Sequence, residues 1–285
     1  MKNASTIAAR RWQPSPFLMA SAVLHVGAAA SAIAWPGTLG WSVASVIANH
    51  AAITAIGLWP RSVLLGPNVL RLPDGRAEIA VTIDDGPDPE VTPRVLDLLA
   101  EHGATATFFC IADKVRAQPA LARRIVEAGH TIENHSMLHR HYFSVLGMRG
   151  MRRELEQAQQ VLTEVTGRVP RYFRAPAGLR NPFLDPVLHA LDLKLVSWTR
   201  RGFDTRVGDA QRVTQRLLNG LRGGDILLLH DGNAARTAQG RPVILEALPR
   251  VLAAASAQGL QCVTVEQGLR DRRASEHDTH DIQDT

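Results

Sequence analysis

The sequence predicts an α/β fold built on a mainly parallel sheet or barrel, with two membrane-length apolar segments in front of it. Three observations carry this. Seven short strand-like runs alternate with amphipathic helical stretches from Ala77 onward, the pattern of βα units. Residues 17–35 and 39–59 are almost continuously apolar, and each matches the roughly 20 residues that cross a bilayer. Carboxylates, histidines and an arginine recur just after the strand-like runs, where parallel α/β folds gather their sites.

Residues 1–16 form a basic segment with Lys2, Arg10 and Arg11. The first apolar run is interrupted only by Ser21, His25 and Ser31, and Pro36-Gly37-Thr38 breaks it. The second carries one mild interruption, Asn49-His50. Trp35, Trp41 and Trp59 lie near the ends of the runs, where interfacial tryptophans are expected. A signal peptide or a buried soluble hairpin shares parts of this pattern, but a transmembrane helical hairpin over 17–60 is favoured. The basic flank puts the N-terminus on the cytoplasmic side of a bacterial-type inner membrane. Two crossings return the chain to that side; if only one run spans, the main domain faces outward.

Residues 61–76 are expected to be a linker. The main domain then covers 77–268. Its strand-like runs are 78–83, 105–110, 131–134, 171–174, 194–198, 225–229 and 261–265. Thr92-Pro93 opens a helix that stops at Gly103, and another runs from near Pro119 to Gly129. Residues 151–165 form a longer helix ended by Gly167, and 211–221 and 243–257 supply two more. No internal repeat is visible. Residues 269–285 are charged without apolar periodicity and are expected to be disordered.

The net charge of +5 has a location. Lys2, Arg10, Arg11, Arg61, Arg71 and Arg76 face only Asp74 before residue 77, so the main domain is balanced. The high pI therefore describes the flanks of the apolar region and gives no case for nucleic acid. A Gly-rich phosphate loop is also lacking, which argues against a phosphatase or nuclease. Cys110 and Cys262 sit in strand-like runs and read as core residues, with no disulfide framework or metal knuckle.

Asp84 and Asp85 end the first strand-like run, before Gly86-Pro87 turns the chain. Two acids beside a buried strand are costly unless paired or metal-bound. His135 and His139, four apart, would share one face of a helical turn and suit one ion, with Asp85 available as a third ligand. His130 and His141 make the region histidine-rich in any case. Arg174, in Arg174-Ala175-Pro176-Ala177-Gly178, can pair with a rim carboxylate. His230 ends Leu227-Leu228-Leu229-His230-Asp231 and can act as a general acid; either Asp204 across the rim or Asp231 beside it can orient the ring.

With Thr82-Ile83-Asp84-Asp85-Gly86-Pro87, His135-Ser136-Met137-Leu138-His139, Arg174 to Gly178, Trp198 to Asp204, and Leu227 to Asp231 in this order, the chain resembles the polysaccharide deacetylases with a NodB homology domain (carbohydrate esterase family 4). The resemblance covers about residues 77–268. It implies a distorted (β/α)7 barrel of the NodB type. It also implies Asp84 as catalytic base, Asp85, His135 and His139 as ligands of a divalent metal (usually zinc), Arg174 as the group that holds Asp84, and His230 with Asp204 as general acid and partner. By the same resemblance, the N–H of Ala177 would help bind the oxyanion and Leu228 would line the acyl pocket. Two departures leave the acyl preference open: Thr205 follows Asp204 where the family often has Trp, and position 177 lacks the aromatic residue some members carry.

The function implied is a membrane-anchored, metal-dependent hydrolase of carbon–nitrogen bonds in linear amides. It would remove an N-acyl group, acetyl first, from an amino sugar in a polysaccharide or glycoconjugate. The expected partners are the carbohydrate substrate and the membrane, with no nucleic acid. The alternatives are a deacylase or deformylase of a lipid-linked sugar at the cytoplasmic membrane face, an O-deacetylase, and a catalytically silent carbohydrate-binding protein.

Overall fold

The computed structural model describes residues 11–270. Lys2, Arg10 and most of the tail expected to be disordered lie outside the described residues. The chain begins with a helical hairpin, α1 (Pro16–Ala34) and α2 (Leu39–Gly57), joined by a short turn over Pro36–Thr38. Ser15 caps α1, its Oγ accepting from the Leu18 N–H at 3.3 Å. The two helices meet through polar groups: Asn49 Nδ2 donates to Ser21 Oγ at 2.7 Å, and the His25 and His50 Nε2 atoms lie 3.2 Å apart. Only Ser21 and Gly57 are buried along the pair. Both helices are long and apolar enough to cross a membrane.

The main domain follows in βα alternation. It comprises β1 (Glu78–Asp84), α3 (Thr92–Glu101), β2 (Thr107–Cys110), α4 (Ala112–Ala117), α5 (Pro119–Glu127), β3 (Thr131–Asn134), α6 (Met148–Thr166) and β4 (Tyr172–Phe173). The second half holds α7 (Leu184–Ala190), β5 (Lys194–Leu195), β6 (Arg200–Arg201), α8 (Ala210–Leu218), β7 (Ile226–His230), α9 (Ile244–Ala257), β8 (Gln261–Val263) and α10 (Val265–Leu269). All the strand pairings are parallel, in the order β5-β4-β3-β2-β1-β7-β6, with β8 alongside the first half of β1. β1 is central and buried throughout, which explains why it reads as a continuous apolar run. Its side chains alternate. Ile79, Val81 and Ile83 join the core formed with α3 and α9, while Ala80 packs with Phe109, Val196, Trp198 and Leu228 inside the curl.

Of the run expected at 194–198 only 194–195 is strand, and a further short strand, β6, lies beyond it. β5 pairs with β4, and after four residues β6 pairs with β7 at the opposite edge of the sheet. One crossing segment thus joins the two edges, and this is the distortion of the barrel. Three short helices, α4, α7 and α10, have no counterpart among the expected stretches. Thr92 lies inside α3 and does not cap it; Asp88 Oδ1 accepts from the N–H groups of Glu90 and Val91 instead, both at 2.9 Å. Cys110 is buried as expected, whereas Cys262 is only partly covered.

Residues 61–76 do not hang as a free linker. Leu65 and Leu72 are buried, and Val69 pairs with Val196 beside β5. Ser197 Oγ donates to the Pro60 carbonyl at 2.7 Å. Gly178 allows a close approach here: its φ is +74°, and a Cβ there would stand 2.7 Å from both Pro60 and Trp198. Gly178→Ala is expected to lower stability by about 1–3 kcal/mol through overpacking, measured by denaturant unfolding of the detergent-solubilised chain.

Glu133 ties β3 to β4, its Oε2 accepting from the N–H groups of Arg171 and Tyr172 at 2.8 Å each. Burial pushes its pKa up to about 8, against the pull of those two donors. A carboxyl whose folded pKa exceeds its unfolded value takes up a proton on folding. Its contribution is complete at low pH and declines as pH rises from the ordinary carboxylate range through 8. Glu133→Gln keeps the acceptor and removes the proton. The variant should gain stability over wild type across that window, by at most about 1.4 kcal/mol per pH unit, read from unfolding curves at its two ends.

Candidate active site

The carboxyl ends of the strands open into a cleft of about 440 Å³. It is lined by Asp84, Asp85, His135, His139, Ala177, Leu228 and His230, among others. β1 delivers the two aspartates to its end. Asp84 is the last residue of the strand, and Asp85 turns away with φ of +73°, a region Asp tolerates better than most residues. Gly86 is required next, because a Cβ there would stand 2.5 Å from the carboxylate of Asp231.

Asp84 and Arg174 form a buried pair. Arg174 NH1 donates to Asp84 Oδ1 at 2.7 Å and to Thr82 Oγ1 at 2.7 Å. Its Nε and NH2 reach the carbonyls of Val196 and Ser197, and its guanidinium lies 4.1 Å from the Phe109 ring centre. Burial draws the Arg174 pKa down, and the charge of Asp84 opposes that. Arg174 is only 1% exposed, so its orientation is fixed and Asp84 is held with it.

Asp85, His135 and His139 converge beside this pair. Asp85 Oδ1 lies 3.2 Å from the Nε2 atoms of both histidines. The histidines do not share a helical turn, contrary to the expectation from their spacing. They sit on a loop in which Ser136 and His139 both have positive φ, and the His139 N–H donates to Ser136 Oγ at 2.9 Å. The His135 Nδ1 donates to the Arg174 carbonyl at 2.8 Å. A carbonyl only accepts, so the proton is on Nδ1 and the Nε2 lone pair faces Asp85. Burial raises the Asp85 pKa, but the neighbouring His135, ahead of His230 and His139, outweighs it and draws the pKa down. Burial, then the charge of His135, lowers the pKa of His139.

These residues fit a divalent ion. The ligand atoms lie within 4.8 Å of one another. Asp85 Oδ1 is buried without a hydrogen-bond partner although two ring nitrogens stand beside it. Ligands about 2 Å from a tetrahedral zinc are themselves roughly 3.3 Å apart, which matches both Asp85–histidine distances.

His230 faces the triad from the end of β7. Its Nδ1 donates to Asp204 Oδ1 at 2.9 Å, and its backbone N–H donates to Asp204 Oδ2 at 2.7 Å. Burial pulls its pKa down, but the hydrogen bond and charge of Asp204, with Asp84 and Asp85, carry it above the usual histidine value. Of the two acids the sequence offered, Asp204 therefore orients His230. Asp231 points the other way and accepts from Thr92 Oγ1. Ala177 has a left-handed backbone, φ of +54°, and forms part of the cleft wall with Leu228.

Comparison with known proteins identifies the family. A sequence model described as Polysaccharide deacetylase matches residues 71–196. The chain is 34% identical over 196 residues to a chitooligosaccharide deacetylase of Azorhizobium caulinodans, covering 66% of this chain and 93% of that protein. The chain belongs to the polysaccharide deacetylase family. The deacetylase is also 32% identical to a peptidoglycan-N-acetylglucosamine deacetylase of Bacillus cereus, over 70% of its own length and 91% of that protein. A family 4 carbohydrate esterase from Streptomyces lividans, solved in complex with acetate, superposes with a TM-score of 0.58 at 30% identity, over 65% of this chain and 91% of the other.

Several residues of the deacetylase site were not singled out from its sequence. Asn233 Nδ2 donates to Asp85 Oδ2 at 3.0 Å, and Lys114 Nζ donates to the Asp85 carbonyl at 2.8 Å. Thr82 shares the Arg174 guanidinium. Thr82 stands in the first motif, where its alternation with Asp84 marks it as inward-facing; Asn233 and Lys114 carry no such signal. Of the other two histidines nearby, His141 lines the cleft, whereas His130 is buried against Phe108 with its pKa lowered by burial to about 4.

Proposed function

We propose that the deacetylase removes an N-acyl group, acetyl first, from an amino sugar of a polysaccharide or glycoconjugate. The enzyme is held at the membrane by its helical hairpin and uses a divalent metal, zinc being the natural fit to one carboxylate and two imidazoles. One observation carries the reading: Asp84, backed by buried Arg174, and His230, backed by buried Asp204, line a single cleft with the Asp85, His135 and His139 triad.

An ion on that triad would polarise the acyl carbonyl and lower the pKa of a nearby water towards ~7. Asp84, held in place by Arg174, accepts the proton of the attacking water. The N–H of Ala177 stabilises the oxygen that gains charge. His230, protonated on Nε2 while Nδ1 remains on Asp204, gives its proton to the departing amine. Leu228 offers an apolar wall to the acyl group. The products are the free amino sugar and a carboxylate.

The purified full chain, supplied with zinc, should release acetate from N-acetylglucosamine oligomers, with equimolar amine. Metal-loaded, folded protein that releases no acyl group from N-acetyl or N-formyl amino sugars would favour the carbohydrate-binding alternative.

A further inference from the structure

Both carboxylates that line the cleft stand beside a basic group: Asp84 with Arg174, and Asp85 with the two histidines. Asp204, buried behind it, is taken by His230. Two arginines on the same wall, Arg201 and Arg206, also line the cleft, and neither forms an ion pair among the described residues. The neighbouring Arg200, by contrast, pairs with Asp225 at 2.5 Å.

Arg201 is held ready. Its guanidinium carbon lies 5.4 Å from the Trp198 ring centre and 5.0 Å from that of Phe203. Stacking positions the plane of the group and leaves its in-plane donors available. Its Nε is buried and has no hydrogen-bond partner, which costs about 1–3 kcal/mol unless something accepts from it. Phe203 is itself held at an unfavourable φ of +59° and is 46% exposed, with Arg216 on its ring at 5.2 Å. Strain of this kind persists where the surroundings enforce it. The charge of Arg201 also lowers the Arg174 pKa, after burial. An arriving anion would relieve both the repulsion and the unmet donor.

The same wall carries the root of the hairpin. Pro60 and Trp198 both close on Gly178, the Pro60 carbonyl accepts from Ser197, and Arg61 NH1 reaches the Thr199 carbonyl at 3.4 Å. The mouth of the cleft is therefore fastened next to the point where an exposed, membrane-length apolar pair leaves the domain. Resting on the deacylase reading above, we infer that the substrate is an N-acyl amino sugar joined through a phosphodiester to a membrane lipid. Arg201 and Arg206 hold the phosphate while the amide lies over the triad. Bidentate arginine–phosphate contacts are the natural use of such a fork.

The test uses the full chain in detergent micelles with Asp84→Asn to prevent turnover, and calorimetry with two probes of equal tail length. Octyl N-acetylglucosaminyl phosphate should bind about tenfold more tightly than the neutral octyl N-acetylglucosaminide. Arg201→Gln should remove most of that preference, and the exposed Arg206→Gln, which spares the stacked core, should reduce it. Equal binding of the two probes, or variants that weaken both alike, overturns the inference. A nucleoside diphosphate N-acetylglucosamine that binds more tightly than the octyl phosphodiester assigns the phosphate to a soluble donor and overturns the lipid. Acetate release by the wild-type chain is followed in parallel. Phosphate preference without acetate release counts against the deacylase reading while the arginine site stands.

Discussion

Asp84→Asn is expected to lower turnover by about 100- to 10,000-fold, the usual contribution of a positioned general base, with metal content unchanged. The separation follows from geometry. Asp84 Oδ1 is engaged by Arg174, and Oδ2 stands 3.9 Å from His135 Nε2, outside the 3.2 Å contacts that Asp85 makes with the triad nitrogens. The substitution also leaves Arg174 buried beside a neutral amide, and breaking a buried ion pair costs about 3–5 kcal/mol. The side-chain oxygen of Asn can still accept from NH1, so the loss should fall short of that. Turnover, metal content and unfolding free energy should therefore be measured on the same preparation. A variant that binds metal and retains turnover within about fivefold of wild type, against the far larger loss expected, would remove Asp84 from the role of base.

The second large effect is on the metal. Asp85→Ala is expected to abolish stoichiometric metal binding and to reduce acyl release to background. A second readout does not depend on activity. An ion that binds the folded chain at about 100 times its Kd adds about 2.7 kcal/mol of stability. That increment should appear in the wild type and vanish in Asp85→Ala. Asn233→Ala should act more mildly, weakening the ion by about 10- to 100-fold, because it frees Asp85 Oδ2 without removing the ligand. Unaltered metal-dependent stabilisation in Asp85→Ala would place the ion elsewhere.

The site was legible in the sequence because its groups stand at or just after strand ends. Asp84-Asp85, Arg174 and His230 each follow a short apolar or strand-like run, and a parallel sheet brings such ends to one rim. What the sequence did not reveal depends on contacts between distant segments. Asn233 belongs to a loop, and its value comes only from reaching Asp85 across the rim. The two histidines do come together with Asp85, yet the path between them was misread. Spacing of four suggests a helical turn, but positive φ at Ser136 and His139 folds the loop more tightly. The residues alone offered both Asp204 and Asp231 for His230; the resemblance implied Asp204, and the fold sets Asp204 against the ring. The docking of 61–76 was hidden for a similar reason: its buried residues, Leu65 and Leu72, are too widely spaced to show a period.

The crossing between β5 and β6 has a consequence for how such an enzyme can change. Asp84 and Asp85, the two histidines, and Arg174 stand at the end of β1, on the loop after β3, and just after β4. Arg201, Phe203, Thr205 and Arg206 all stand on the crossing segment or just beyond it. That segment is held by two-residue ladders at each end and, between them, mostly through backbone groups: Val196 pairs with Val69, and the Val196 and Ser197 carbonyls accept from Arg174. Its sequence is thus free to drift under selection for a new leaving partner while the hydrolytic apparatus stays intact. Only Asp204, which holds His230, must persist through such a change. The segment works as an interchangeable adaptor, and exchanging it between homologues is a direct route to altered specificity at constant chemistry.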